Sequence, residues 1–115
     1  MKFMLLIYVD ESGMAKATKE QAGQMMAAYG AWTESMKKAG VFVAADRLQS
    51  AKTAATVRGA ADKAKVLDGP YAETKEQFGG FYIIEVADRA AAVTWAKGCP
   101  SNHYGAVEVR PVWAM

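Results

Sequence analysis

The sequence has 115 residues, of which 52% are hydrophobic and 23% are charged, and its formal net charge is +2 at pH 7. This length predicts a single domain over residues 1–115, and the hydrophobic content excludes an intrinsically disordered chain. The 14 basic and 12 acidic residues are interspersed, so the sequence has no basic stripe of the kind that binds nucleic acid directly.

The first predicted element is a strand from Lys2 to Val9, which is rich in β-favouring residues and is followed by turn residues. This apolar segment is too short to cross a bilayer, and no signal-peptide cleavage pattern follows it. We therefore expect a cytoplasmic protein without a membrane partner. Alternation makes both strand faces apolar, with Phe3, Leu5, Ile7 and Val9 on one face and Met4, Leu6 and Tyr8 on the other.

A long amphipathic helix is predicted from Thr18 to Ala39. Thr18 and Gln21 fit a capping box, and Gly40 fits the left-handed residue that commonly follows a helix. One apolar stripe at three- and four-residue spacing is expected to enter the core: Ala22, Met25, Met26, Tyr29, Trp32, Thr33 and Met36.

Short strands and turns are predicted in the middle of the chain. A strand from Val41 to Ala45 is followed by a hairpin with arms at Thr53–Arg58 and Ala64–Leu67. Asp68, Gly69 and Pro70 then form a strong turn signal, followed by a charged segment from Glu73 to Gln77.

The last third of the chain predicts a strand, a helix and a strand. Gly79 and Gly80 precede a second strand with two apolar faces, Phe81 to Val86. A helix follows from an N-cap at Asp88 to Lys97, and the final strand runs from Ala106 to Val112. Cys99 lies between Gly98 and Pro100 and is predicted to be a small buried hydrophobic residue rather than a nucleophile.

This order of elements predicts an α+β fold: a ferredoxin-like sandwich in which two helices cover one face of an antiparallel sheet. Since the first and fourth predicted strands are apolar on both faces, the second sheet face also needs a cover, and no further helix is available within the chain. We therefore predict a homodimer with an interface of roughly 1,500–2,500 Å² in total.

The stretch from Asp68 to Tyr82 begins Asp-Gly-Pro-Tyr-Ala-Glu-Thr-Lys-Glu and resembles the signature of the DGPF branch of the YCII-related proteins. The opening Met-Lys-Phe-Met-Leu-Leu-Ile-Tyr and the closing segment from Tyr104 to Pro111 are similar to the same family, so the resemblance runs nearly end to end. It implies a dimeric α/β barrel built from ferredoxin-like protomers.

The resemblance implies two different functions. The wider family is suspected to be enzymatic because of a characteristic His and Asp, whereas the DGPF branch also occurs joined to sigma factors. The only histidine here, His103, lies in the turn before the last strand, and nothing in the sequence matches it to the family's histidine. The two hypotheses are a small-molecule enzyme and a non-catalytic binding or regulatory dimer linked to sigma-factor-dependent transcription initiation.

The best candidate site is at the Asp68 turn, with Asp68 as the catalytic carboxylate and Glu73 and Lys75 beside it. Arg110 on the last strand is expected to join them, and Tyr8 and Tyr82 to line a cleft, as binding residues for a small-molecule ligand. The alternative is structural, because an aspartate before Gly-Pro often caps its own turn. The sequence has no metal-ligand spacing, phosphate loop or dinucleotide fingerprint, so no metal and no cofactor are predicted.

Overall fold

The computed structural model describes residues 1–114, and this part of the chain contains six strands and three helices. The strands are β1 (Lys2–Val9), β2 (Phe42–Arg47), β3 (Ala55–Arg58), β4 (Lys65–Asp68), β5 (Gln77–Glu85) and β6 (Gly105–Pro111), and the helices are α1 (Glu11–Ala15), α2 (Lys19–Lys38) and α3 (Arg89–Lys97). Within these residues, no helix has the length and apolar content that a membrane span requires.

Four strands form one antiparallel sheet in the order β2-β5-β1-β6. Helix α2 connects β1 to β2 and helix α3 connects β5 to β6, which is the ferredoxin-like arrangement that the sequence predicts. The α+β fold class is therefore confirmed. The sheet of one chain is open rather than closed into a barrel, so the predicted dimeric α/β barrel requires a second copy.

The hydrophobic core lies between one face of this sheet and helices α2 and α3. Strand β1 contributes its odd-numbered side chains, and Leu5 and Ile84 at the centre are 0% exposed. Burying each large aliphatic or aromatic side chain contributes about 1.5–3 kcal/mol. The two helices supply the opposite wall of the core with four buried residues: Trp32, Met36, Ala92 and Ala96.

The opposite face of the sheet carries no helix in the described chain, and we call it the open face. Strand register assigns its side chains, because residues paired across antiparallel strands share a face: Met4 pairs with Ile83 and Arg110, and Leu6 pairs with Phe81 and Glu108. The apolar members are only half-buried in one chain. The predicted two-faced character of β1 and β5 is thus confirmed.

The capping signals of helix α2 are confirmed, but its predicted core stripe is only partly buried. The Thr18 and Gln21 side chains and backbones bond reciprocally, at 3.1 and 2.9 Å, and Gly40 has a φ of 73°. Only Trp32 and Met36 of the stripe are buried, whereas Ala22 and Met26 are exposed. The 20-residue helix, about 30 Å long, extends beyond the core, so its first turns bury no side chain.

Strand β5 begins at Gln77 rather than at the predicted Phe81, so the two glycines lie inside the strand. A Cβ at Gly80 would lie 2.8 Å from the backbone oxygen of Asp46 on the neighbouring strand β2. Glycine therefore permits a close approach of the two backbones, which local turn propensity does not reveal. At the bulge beside Gly79, the pairing register with β1 shifts by one residue.

The predicted hairpin is confirmed, but it forms a separate two-stranded sheet of β3 and β4 instead of joining the main sheet. We call residues 48–76, which carry this hairpin and its connections, the arm. The expected turn after β1 is in fact the short helix α1, which forms because the Asp10 carboxylate accepts hydrogen bonds from the backbone of Ser12 and Gly13.

Candidate functional site

A cleft of about 1240 Å³ lies between the arm and the open face, next to the Asp68 turn. Its floor consists of open-face residues at the end of β1 and the start of β6, and its walls are the two connections that lead into and out of the hairpin. Most of the lining is apolar or small, and polar side chains occur on both the walls and the floor. The principal polar lining residues are Tyr8, Thr56, Lys75, Gln77 and Glu108.

The floor of the cleft combines an aromatic pair with a carboxylate. The rings of Tyr8 and Phe78 lie with their centroids 5.5 Å apart. The Tyr8 hydroxyl donates a 3.5 Å hydrogen bond to Glu108 Oε1, and Arg110 Nε donates a 2.7 Å hydrogen bond to Glu108 Oε2. Arg110 lies two residues along the same strand, and its contact with Glu108 fixes that side chain beside the phenol.

Glu11 holds the base of the arm against the end of β1. Its two carboxylate oxygens accept hydrogen bonds from the Ser50 hydroxyl at 2.9 Å and from the Ala51 backbone N–H at 2.8 Å. The Glu11 backbone N–H donates in turn to Gln77 Oε1 at 3.1 Å. One residue therefore ties down both the outgoing and the returning connection of the arm, and with them the two walls of the cleft.

Asp10, next to Glu11 in the chain, caps helix α1 with its carboxylate. The hydrogen bond from the Ser12 hydroxyl, followed by that from the Gly13 backbone, lowers the pKa of Asp10, and the positive charge of Lys75 contributes in the same direction. Lys75 therefore acts electrostatically on Asp10. The predicted neighbours of Lys75 were instead Asp68 and Glu73.

The structure brings some of the predicted site residues together and separates others. Tyr8 and Lys75 line the cleft, and Arg110 reaches it through Glu108. Asp68 is exposed at the end of β4, opposite Ala55 of the cleft wall, and Glu73 is exposed in the returning connection; neither side chain lines the cleft. These two carboxylates lie at its rim, beside the wall residue Pro70.

Tyr82 lies on the other side of the sheet from Tyr8, because it pairs with the core residue Leu5. Its ring packs 4.6 Å from that of Trp32, and its hydroxyl is 2.6 Å from the Thr33 hydroxyl. The two tyrosines that the sequence placed in one cleft therefore face opposite layers of the molecule. Tyr82 belongs to the interface between the sheet and helix α2.

A buried polar cluster lies near Tyr82 but away from the cleft. The Tyr29 hydroxyl contacts the Ser101 hydroxyl closely and lies 3.4 Å from Cys99 Sγ. Burial raises the pKa of both the Tyr29 phenol and the Cys99 thiol. Cys99 is 3% exposed, as the prediction of a buried hydrophobic residue requires, and a thiol that stays protonated is a poor nucleophile.

Three residues that shape the cleft were missed by sequence reasoning: Glu11, Phe78 and Glu108. Counting by twos from Phe81 places Phe78 on the core side, but the bulge beside Gly79 turns it to the open face opposite Tyr8. The pair Gly79-Gly80 was the only local signal of that bulge. No role in the site was predicted for Glu11 or Glu108.

The arrangement places an apolar surface beside a proton donor and a proton acceptor. The Tyr8 and Phe78 rings offer an apolar surface, the Tyr8 hydroxyl offers a proton donor, and Glu108 offers an acceptor. Within residues 1–114, no three His, Cys, Asp or Glu side chains are grouped to hold a metal ion. His103 is exposed in the 3₁₀ turn Pro100–His103, outside the cleft.

Comparison with known proteins agrees with the resemblance carried by the sequence. The model of the YCII-related domain family matches residues 1–115. An uncharacterised protein of Rhizobium meliloti (strain 1021) is 36% identical over 114 residues, an alignment that covers 97% of this chain and 92% of the relative. Both matches span the sheet, the arm and the cleft residues together, so the chain belongs to the YCII-related family.

Proposed function

We propose that this protein is a homodimeric enzyme acting on a small organic molecule that binds in the cleft between the arm and the open face. The observation that carries the proposal is the cleft itself: an apolar concavity of about 1240 Å³ with the polar pair Tyr8 and Glu108 on its floor. Concave apolar sites with a few convergent polar groups are where small ligands bind. Within this proposal, Glu108 takes the proton-accepting role that the sequence analysis gave to Asp68.

The DGPF motif supports placing the site here. Pro70 and Tyr71 of the motif line the cleft, and Asp68 lies at its rim. Arg58 of strand β3 stacks over the Tyr71 ring, with its guanidinium carbon 4.8 Å from the ring centroid. We therefore assign the chain to the DGPF branch and propose that the motif shapes one wall of the ligand site.

Two features support the homodimer. A compact monomer of this mass exposes about 6,100 Å², whereas this chain exposes 8215 Å². The excess is about 2,100 Å² per chain. If each of two chains buries half of its excess against the other, the interface buries about 2,000 Å² in total, which is enough for a stable dimer. The apolar open face is the surface that most needs such a cover.

The test is a thermal-shift screen of a metabolite library on wild-type protein, repeated for each hit on Glu108→Gln and Tyr8→Phe. A ligand present at 100 times its Kd stabilises the folded state by about 2.7 kcal/mol. We expect both cleft variants to lose most of that stabilisation, and Glu34→Gln, an exposed change on helix α2, to retain it. Hits that bind all three variants equally would contradict the proposed site.

Turnover requires its own measurement, because binding alone does not make an enzyme. Each hit is incubated with wild-type protein and with Glu108→Gln, and the mixture is followed by mass spectrometry. We expect a product with wild-type protein and at least a hundredfold lower rate with the variant, since a general base contributes about 10²–10⁴ in rate. Ligands that bind but are never converted would favour a binding protein.

A second candidate function is a non-catalytic regulatory dimer linked to sigma-factor-dependent transcription initiation. The exposed apolar side chains of the arm favour it, because such surfaces often bind other proteins: Val57, Val66 and Leu67. Titration with a purified sigma factor in an ultracentrifuge tests this directly. A complex of fixed stoichiometry, combined with no conversion of any library compound, would favour the regulatory function over the enzymatic one.

A further inference from the structure

We propose that the cleft is shared between two protomers: the arm of each protomer packs on the open face of a second copy, and the site is incomplete without that copy. The inference rests on the proposed function, since it concerns the same cleft and the same dimer. It adds that the arm is an interface element and that the partner forms part of the wall of each ligand site.

The size of the cleft is the first argument. Pockets that bind small organic ligands usually enclose roughly 300–1,000 Å³ and bury most of the ligand surface. The cleft of one chain exceeds that range, at about 1240 Å³, and it opens broadly to solvent between the arm and β6. If part of another chain filled some of this cleft, the remaining pocket would fall within the usual volume range for small ligands.

The composition of the arm is the second argument. Strands β3 and β4 pair only with each other within the described residues, and a lone two-stranded hairpin is marginally stable in water. Val57 and Val66 face each other across this hairpin and are 62% and 67% exposed. The arm is joined to the rest of the protomer mainly at its base, through Glu11 and a Leu48-to-Gly79 backbone bond. Its apolar strands therefore need an additional cover.

The geometry links the arm to the open face. Arm residues Ala54 and Val57 and open-face residues Tyr8 and Glu108 line one continuous cleft. A molecule that covers the whole open face, including Tyr8 and Glu108, also covers the floor of this cleft and meets the arm. In a twofold dimer built on the open face, the contact is reciprocal, so that each arm meets the sheet of its partner.

The shape of the protomer favours a second copy as the occupant. Its radius of gyration is 16.0 Å, whereas a compact chain of this length has about 13 Å. Its extents of 47 × 43 × 18 Å describe a wide, thin body, and its surface exceeds that of a compact monomer by about 2,100 Å². Two chains of this shape that pack face to face, each with its arm against the other chain, form a compact dimer.

The first test is the dimer dissociation constant of Val66→Lys, measured by analytical ultracentrifugation. Val66 does not line the cleft, so the change adds a charge to the arm without altering the ligand pocket. We expect the dimer to weaken at least tenfold, because a lysine is forced against an apolar surface. The matched control is Met26→Lys, an apolar side chain of similar exposure, 71%, on helix α2, and we expect it to change the constant less than twofold.

The second test detects the contact itself. Protein carrying the photoreactive change Val66→p-benzoylphenylalanine is mixed with isotope-labelled wild-type chains and irradiated. We expect covalent links from position 66 to β1 or β6 of the labelled chain. Links confined to the same chain would overturn the inference, and so would links to an added protein partner in place of a second copy.

The outcomes separate this inference from the proposed function. If Ile83→Asp on the open face converts a dimeric protein to a monomer while Val66→Lys leaves it dimeric, the homodimer is supported and the shared cleft is contradicted. If wild-type protein is a monomer at micromolar concentration, the shared cleft and the proposed homodimer both fail. Ligand conversion by a protomer that remains monomeric would also exclude a shared site, while leaving the enzymatic proposal intact.

Discussion

Single residues decide how closely the strands of this sheet approach one another. Gly105 faces Val9 across β1 and β6, and a Cβ there would collide with the backbone oxygen of Tyr8. The equivalent atom at Gly80 would press on the backbone of Asp46. Both clashes involve backbone, which has no rotamer by which to move away, so these two positions require glycine for space.

We therefore expect Gly80→Ala to destabilise the protein by about 1–3 kcal/mol, the usual cost of overpacking. The matched control is Gly23→Ala in helix α2, where a Cβ would meet nothing within 4 Å. That change should stabilise the protein by about 0.5–1 kcal/mol, because alanine is the better helix former. Urea unfolding of the two variants measures both effects. Equal free energies of unfolding for the two variants would show that β2 and β5 can move apart at Gly80 without cost.

The buried Tyr29 cluster gives the stability a pH dependence at alkaline pH. Burial raises the pKa values of Cys99 and Tyr29 above their ordinary values of 9.0 and 10.0, so the unfolded chain loses these protons first. The unfolded state then binds fewer protons than the folded state, and stability falls as pH rises above about 9. The stabilisation is complete at lower pH.

The measurement is the free energy of unfolding in urea at intervals from pH 7.5 to pH 10.5. We expect Tyr29→Phe to reduce the fall in the free energy of unfolding at the upper end of this pH range. At pH 7.5 the variant should have a free energy of unfolding about 1–2 kcal/mol lower than that of wild type, since the Ser101 hydroxyl, 3% exposed, loses its partner. The control Tyr71→Phe, on an exposed ring, should leave the slope unchanged. A variant slope equal to that of wild type would assign the decline to other groups.

At the scale of elements, the Glu11 side chain anchors the base of the arm. Replacing Glu11 by alanine removes the acceptors for the Ser50 hydroxyl and the Ala51 N–H. We expect hydrogen exchange of amides 52–69 to accelerate at least tenfold, while exchange in β1 and β5 changes little. The control is Glu20→Ala, a first-turn carboxylate of α2. Uniform acceleration in every strand would mean that Glu11 stabilises the whole fold instead.

How well each element could be predicted depended on whether its signal is local. The strands, the capping box of α2 and the N-cap at Asp88 follow from nearby residues, and all are present. The position of Phe78 depends on a bulge that aligns two distant strands, so period-two counting from the predicted strand does not reach its correct face. The exposure of Met26 likewise depends on where the sheet ends beneath α2, which helical spacing does not encode.

The candidate site shows the same division. Tyr8 and Lys75 were predicted and line the cleft, since one lies on a two-faced strand and the other in the DGPF-like motif. Glu11 and Glu108 were missed because their roles arise from contacts across 40 and 100 residues of sequence. Tyr82 was assigned to the wrong layer, because residue type alone does not tell which face of a strand a tyrosine occupies.

At the scale of the whole molecule, one chain exposes more surface than a compact monomer of the same mass does. It exposes 8215 Å², and the sheet that organises it is covered on one face only within the described chain. If a second copy completes the fold, folding and association are one equilibrium, and stability depends on protein concentration. A monomer has no such dependence, so the melting temperature itself reports the assembly.

We therefore expect a hundredfold dilution to lower the melting temperature of wild-type protein by about 5 °C, because association then contributes about 2.7 kcal/mol less to a dimer of this size. Ile83→Asp, which places a charge on the half-buried open face, should melt at a lower temperature that does not change on dilution. Calorimetry at 1 and 100 μM makes the comparison. A wild-type melting temperature independent of concentration would contradict the proposed homodimer.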